Sequence, residues 1–313
     1  MPPSPKSAGK ATSGVRRLQP RQAPGRAARL HAAMACDTAF RVVARRYLRE
    51  LAACHELTCD GDPDGLHQMR IALTRLRTAI LFFSPMVADS RRTRIRTELK
   101  WLNTQLGIVR DLDVAIERLN ATNKDGPHTE PHYRSWSERR VDGHRTLARA
   151  LRSPRYRRVI SNASKWIESG AWSTSRAKRA VKERASPIAD YSADKLARWQ
   201  QKLLKKSRKL LKMDAEERHR LRLLNKKLSY SLETFEDLAS DKRFSGHQVR
   251  LKHLRKAQRS LGQLNDDANS HALATALARD GAHPALQFLS PKREKRLLKA
   301  AVAAYRKLAA MTP

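Results

Sequence analysis

The chain has 313 residues, and its 65 Lys and Arg against 30 Asp and Glu give a formal charge of +35 at pH 7. A compact domain with that charge repels itself, so the partner expected is a polyanion that neutralises it. With 40% hydrophobic residues wholesale disorder is excluded, while 12 glycines and 5% aromatics favour helix over sheet and disfavour modules that stack bases on exposed rings.

Residues 1–25 hold five prolines and several basic residues, a composition that cannot bury a face and reads as a flexible basic tail. Arg26–Cys54 is Ala-rich and free of Gly and Pro, which predicts a helix. The turn cluster Cys59–Gly65 follows, with acidic residues placed to cap a second helix, Leu66–Phe83, stopped by Pro85. A third helix is expected over about Arg91–Leu106, interrupted by Gly107, and a fourth over about Arg110–Asn120. Residues 123–131 read as a loop, 132–152 and 155–169 as helices, and Gly170–Ser175 as a break. The second half shows helical patterns near 188–212, 215–238, 247–263, 266–279 and 291–310, and no segment alternates as a strand would.

Cys36, Cys54 and Cys59 are odd in number and lack CxxC spacing, so neither a disulfide framework nor a zinc site is indicated. No apolar run reaches the roughly 18 residues of a membrane span, and the N-terminus lacks the apolar stretch of a secretory signal. A reducing, cytoplasmic location is the expectation.

The two halves repeat one another. His67-Gln-Met-Arg70 through Arg77 and Phe83 aligns with His219-Arg-Leu-Arg222 through Lys226, Lys227 and Phe235. Each is followed by a leucine-glycine step, Leu106-Gly107 and Leu261-Gly262. A period of about 150 residues is far too long for a solenoid unit and predicts two similar helical bundles. At 100° per residue, Leu66, Met69, Leu73, Leu76, Ile80 and Phe83 form a buried stripe, with His67, Arg70, Thr74 and Arg77 on the adjoining flank and Arg75 pointing elsewhere. Leu221, Leu224, Leu228, Leu232 and Phe235 form the second seam, flanked by His219, Arg222 and Lys226. A cationic stripe at the edge of the core, made twice, is more specific than scattered surface charge.

The next helices carry the arrangement less sharply: Ile95, Leu99, Leu102 and Leu106 form a seam, leaving Arg96 and Lys100 off it, and Lys100 aligns with Arg255. Arg41, Arg45 and Arg49 recur every fourth residue, and Lys202, Lys205, Lys206 and Lys209 nearly so. For these two runs a solvated face and a binding role stay open.

Asp111 and Asp113 follow Gly107, and Asp266 and Asp267 follow Gly262. In a helix's first turn they would satisfy free N–H groups; with His67 or His219 they could instead hold a metal. No HExxH, HD pair, P-loop, GxGxxG after a strand or Ser-His-Asp set occurs, and no catalytic residue, metal or cofactor is assigned.

With HQMRIALTRLR, ELKWLNTQLGIVRDLDV, HRLRLLNKKLSYSLETF and LRKAQRSLGQLNDD in this order, the chain from about residue 26 to its end resembles the CHAD family, the conserved histidine α-helical domain. The resemblance implies an all-α fold of two four-helix-bundle-like halves, 26–170 and 178–313, related by a pseudo-twofold. It also implies inorganic polyphosphate as partner, a basic groove or pore, and residence on polyphosphate granules. Carried over by position, the implied contacts are His67, Arg70, Arg75, Arg77, Lys100 and Arg110, with His219, Arg222, Lys226, Lys227 and Arg255 from the second copy. Thr74 stands opposite Lys226 and Ser229 opposite Arg77, so each half has one uncharged stripe position. Many relatives add a CYTH triphosphatase domain marked by ExExK; that motif does not occur here, and triphosphate hydrolysis is not implied. Two other readings stand beside polyphosphate binding: a non-specific nucleic-acid binder drawn by the same charge, and a metal-dependent phosphohydrolase using His67, Asp111 and Asp113.

Overall fold

The computed structural model describes residues 29–122, 131–279 and 290–311. The basic tail 1–25 and most of the expected 123–131 loop lie outside them. Among the described residues the fold is all-α, with no strand beyond one isolated antiparallel bridge between Ala35 and Pro187.

Helix α1 spans Cys36–Ala53, starting ten residues later than the expected Arg26–Cys54. The backbone just before it is used elsewhere: Ile188 N–H donates to Met34 O, Ala189 N–H to Ala32 O, and Cys36 N–H to Ser186 O. Those carbonyls satisfy the first turn of another helix, and the α-ladder starts only once they are committed. A short helix, α2 (His55–Cys59), follows. Gly61, at φ +82°, makes the turn a side chain would resist. Asp62 then caps α3 (Pro63–Phe82) by accepting from the Asp64 and Gly65 amides, with Pro63 in the first helical position where its missing N–H costs nothing.

Helix α4 runs unbroken over Arg92–Thr122, so the expected interruption at Gly107 does not occur. The same correction applies to α10, His247–Arg279, which continues through Gly262. A single glycine costs a helix about 1 kcal/mol, and the seam of buried Leu99, Leu102, Leu106 and Val109 on both sides of Gly107 outweighs it. Asp111 and Asp113 therefore sit mid-helix and cap nothing. Helices α5 (Pro131–Arg152) and α6 (Pro154–Ser169) come next, and α7 (Lys178–Ala185) is a short helix that the sequence reading did not place. Helix α8 spans Ile188–Ser207, α9 Ala215–Thr234, and α11 Pro291–Ala309. Asp214 and Glu217 close a reciprocal capping box at the start of α9.

Packing follows the order of the chain twice. Helix α3 lies against α1 and α4, and α4 against α5; α9 lies against α8 and α10, and α10 against α11. The two sets meet where α3 packs on α9 and α4 on α10. Every residue of the expected α3 seam, Leu66 to Phe83, is buried, as are Leu221, Leu228, Leu232 and Phe235 of α9, while Leu224 is half-buried. Phe82 and Phe83 meet Phe235 at ring-centroid distances of 5.0 and 6.4 Å, so one apolar core runs continuously from Leu30 to Leu308.

Candidate functional site

Where α3, α4, α9 and α10 converge they leave a cavity of about 980 Å³. The α3–α4 pair is antiparallel: Arg70 Nη1 donates to Gly107 O (3.2 Å) near one end, and Arg92 Nη1 donates to Ser84 O (2.6 Å) near the other. This ordering turns the α3 flank toward the polar face of α4. His67, Arg70, Thr74 and Arg77 all line the cavity, as do Arg96, Lys100, Arg110 and Asp111 from α4. From α9 come His219, Arg222, Lys226, Lys227 and Tyr230; α10 adds Asn265, Asp266 and Asn269.

The lining holds eight Lys and Arg against two Asp, an excess of 8 − 2 = 6 positive charges with both histidines neutral. Few of the cations have partners. Arg70 has Gly107 O and a distant Asp111 (3.7 Å), and Arg110 has Glu117 (3.0 Å) at the rim. The Arg222 Nε is buried with no hydrogen-bond partner. The consequence is visible in the proton equilibria. Burial, with Arg222 and Arg70 nearby, pulls the Lys226 ammonium down to about 8. Burial lowers His67 too, helped by Arg110, Arg70 and Lys226, and Arg70 and Arg77 fall below the usual guanidinium value for the same first reason. Asp111 is raised by burial even though Arg70 stands beside it. Cations crowded together and desolvated against one another form a site that an anion would relieve.

Two expected contacts lie elsewhere. Arg75 Nη2 donates to Glu233 (3.0 Å), its other Nη faces Glu50 (3.8 Å), and its guanidinium covers the Tyr230 ring at 5.5 Å, outside the cavity. Arg255 donates to the other oxygen of the same Glu233 (3.0 Å). Lys100 and Arg255 align in sequence yet part in space, because the first-half counterpart of Glu233 is Leu81, which gives Lys100 no carboxylate to follow. Asp113 is also outside: His144 Nε2 (2.9 Å) and Arg140 Nε (2.6 Å) hold it between α4 and α5. The set His67, Asp111 and Asp113 therefore does not converge. Among the described residues no three His, Cys, Asp or Glu side chains are grouped to hold a metal. The Arg41–Arg45 run is spent on ion pairs with Asp37 and Glu168.

Arg96, Thr97, Asn103, Tyr230 and Asn269 line the cavity without having been assigned to a site. On α4 the signal was present: Thr93, Arg96, Lys100, Asn103, Gly107 and Arg110 step by three and four residues along one face. Reading that face needed its polar members counted with its charges.

Fold and cavity define a class: an all-α protein whose cationic cavity is shared by two antiparallel helix pairs. Residues 42–275, most of the chain, match the CHAD domain family model, and the chain belongs to that family. It is similar to the crystal structure of the CHAD domain from the plant Ricinus communis, with a TM-score of 0.74 at 24% sequence identity over 92% of this chain and 96% of that one. PptA from Streptomyces chartreusis is similar in fold, with a TM-score of 0.58 at 13% identity over 88% of this chain and 96% of that one. Among curated proteins none matches the chain.

Proposed function

We propose that this chain binds inorganic polyphosphate in the cavity between α3, α4, α9 and α10, without catalysis, and associates through it with polyphosphate granules. The observation that carries the reading is the uncompensated charge: eight Lys and Arg face one another with two Asp among them. The family is linked to polyphosphate binding, which agrees. Successive phosphate units suit the arrangement, since Arg presents planar forks and Lys a point charge, and there are no bases to recognise. In this reading the two sequence repeats act as one site, Arg70 and Arg222 entering it from equivalent positions. Their long stems reach from the edge of the apolar seams, where water screens a phosphate contact less than on an open face. Arg75 and Arg255, neutralised by Glu233, serve as clamps between helices.

The test is a pair of charge-matched double variants. Arg70→Glu with Arg222→Glu should weaken polyphosphate binding far more than Lys178→Glu with Lys295→Glu, two exposed lysines outside the cavity, although each pair changes the net charge by four. Circular dichroism and thermal melts establish that both are folded. Equal losses would mean that total charge determines binding. Phosphate release by the wild type with added divalent metal, or failure of the purified chain to co-sediment with isolated granules, would overturn the corresponding part.

A further inference from the structure

One basic feature lies outside the cavity. From Lys195 to Met213 the chain carries eight Lys and Arg and not a single acid. Helix α8 buries Leu196, Gln200, Leu203 and Ser207, which leaves Arg198, Lys202 and Lys205 stepping along its outer face at i, i+4 and i+7. Lys209 prolongs the row past the helix end. All four are exposed, and among the described residues none of them pairs with a carboxylate; Asp190 is taken by Arg243, and Asp194 lies a turn before Arg198. Surface lysines in a row are ordinarily a solvated face. This row differs in where it touches the cavity: α8 packs on α9, and Lys227, a cavity residue on α9, lies within reach of the charges of Arg77 and Arg96 of the cavity and of Lys202 of α8.

We infer that the outer face of α8 is a second polyanion lane, continuous with the cavity through Lys227 and Lys202, which takes the part of a polyphosphate chain too long for the cavity. This rests on the reading of the cavity as a polyphosphate site. The cavity is finite, about 980 Å³, and a long chain must emerge from it with its charge intact. The cavity's lining is charged unevenly: Asp111 and Asp266 sit with Arg70, Arg222 and Lys226, whereas the charges acting on Arg77 and Lys227 are cations alone, Arg96 among them. A polyanion leaving by way of Lys227 meets Lys202 next and finds further cations spaced along α8. Each lane contact is exposed and individually weak, so the lane adds affinity through number.

Chain length separates the lane from the cavity. In Arg198→Gln, Lys202→Gln, Lys205→Gln, Lys209→Gln the binding of tripolyphosphate should stay within about twofold of wild type, whereas long-chain polyphosphate should bind about 16-fold more weakly, as four exposed contacts each worth a factor of about two would give. A control with Lys178, Lys182, Lys295 and Lys299 changed to Gln carries the same net charge and should lose much less for either ligand. Equal losses in the two quadruple variants, or an equal loss for short and long chains in the α8 variant, would overturn the lane. If instead the wild type binds neither tripolyphosphate nor the long chain, it is the cavity reading that fails. Thermal melts on both variants exclude unfolding as the cause.

Discussion

Lys226 shows how the cavity sets stability against binding. Its ammonium is packed beneath the Tyr230 ring (5.6 Å) and faces His67, Arg70 and Arg77 of α3, Arg222 of its own helix and Asp266 of α10. The folded protein holds this proton only to about pH 8, the unfolded chain to the ordinary lysine value of 10.5. Between those values the unfolded state binds more protons, so this residue's contribution to stability improves as pH rises and is most unfavourable below the folded value. Lys226→Met should therefore raise the stability of the ligand-free protein at neutral pH, by about 1–3 kcal/mol, while weakening polyphosphate binding. Binding has the opposite pH dependence. Wild-type affinity should fall between about pH 7 and about pH 9.5 as the ammonium is lost, and the fall should be shallower in Lys226→Met. Denaturant melts and calorimetric titrations at the two pH values check both signs; a variant less stable than wild type would show that Lys226 is compensated after all.

Two glycines make opposite predictions because of what their helices approach. At Gly65, α3 meets α2 so closely that an added Cβ would lie 2.7 Å from Leu57 Cβ and 3.2 Å from Leu57 C. Gly65→Ala should force the two helices apart and cost about 1–3 kcal/mol. Gly107, inside α4, has nothing within 4 Å of such a Cβ, and its carbonyl, which accepts from Arg70, is untouched by the change. Gly107→Ala should stabilise the protein by about 0.5–1 kcal/mol through helix propensity alone. Chemical denaturation of the two variants gives both values, and a destabilised Gly107→Ala would mean that α4 needs a bend at that point. The expectation of a break there came from treating glycine as punctuation. The helix continues because its buried leucines extend on either side of it.

The whole molecule carries +35, and that field draws any polyanion; shape decides which polyanion reaches the cavity. The cations line a cavity between four closely packed helices, so a thin flexible chain reaches more of them than a stiff duplex, whose major groove alone is roughly 12 Å wide. Polyphosphate should accordingly outcompete duplex DNA at matched salt. With eight cations in the lining, log K against log salt should fall with a slope of about −5.6, at about −0.7 for each phosphate of a flexible single chain. Fluorescence competition across a salt series measures both. Equal affinity for duplex DNA at about 150 mM salt would move the assignment to a nucleic-acid binder.

Much was legible in the amino-acid sequence because it is written in local periodicity. The all-α class, the seams of α3 and α9, and the placing of His67, Arg70, Arg77, His219, Arg222 and Lys226 on the flanks of those seams follow from residue spacing along single helices. Helix geometry sets which residues share a face whatever the helix packs against. What each cation meets is a tertiary matter. Glu233 of α9 draws in Arg75 and Arg255, whereas Lys100, with Leu81 where a carboxylate would stand, faces the cavity. Met34 O and Ala32 O are claimed by amides of α8, more than 150 residues away in the chain, and so α1 starts late. Ion pairing and backbone hydrogen bonding are short-ranged, and their partners come from distant parts of the chain. The stripes are therefore properties of the sequence, and the choice of which charges remain unpaired belongs to the fold.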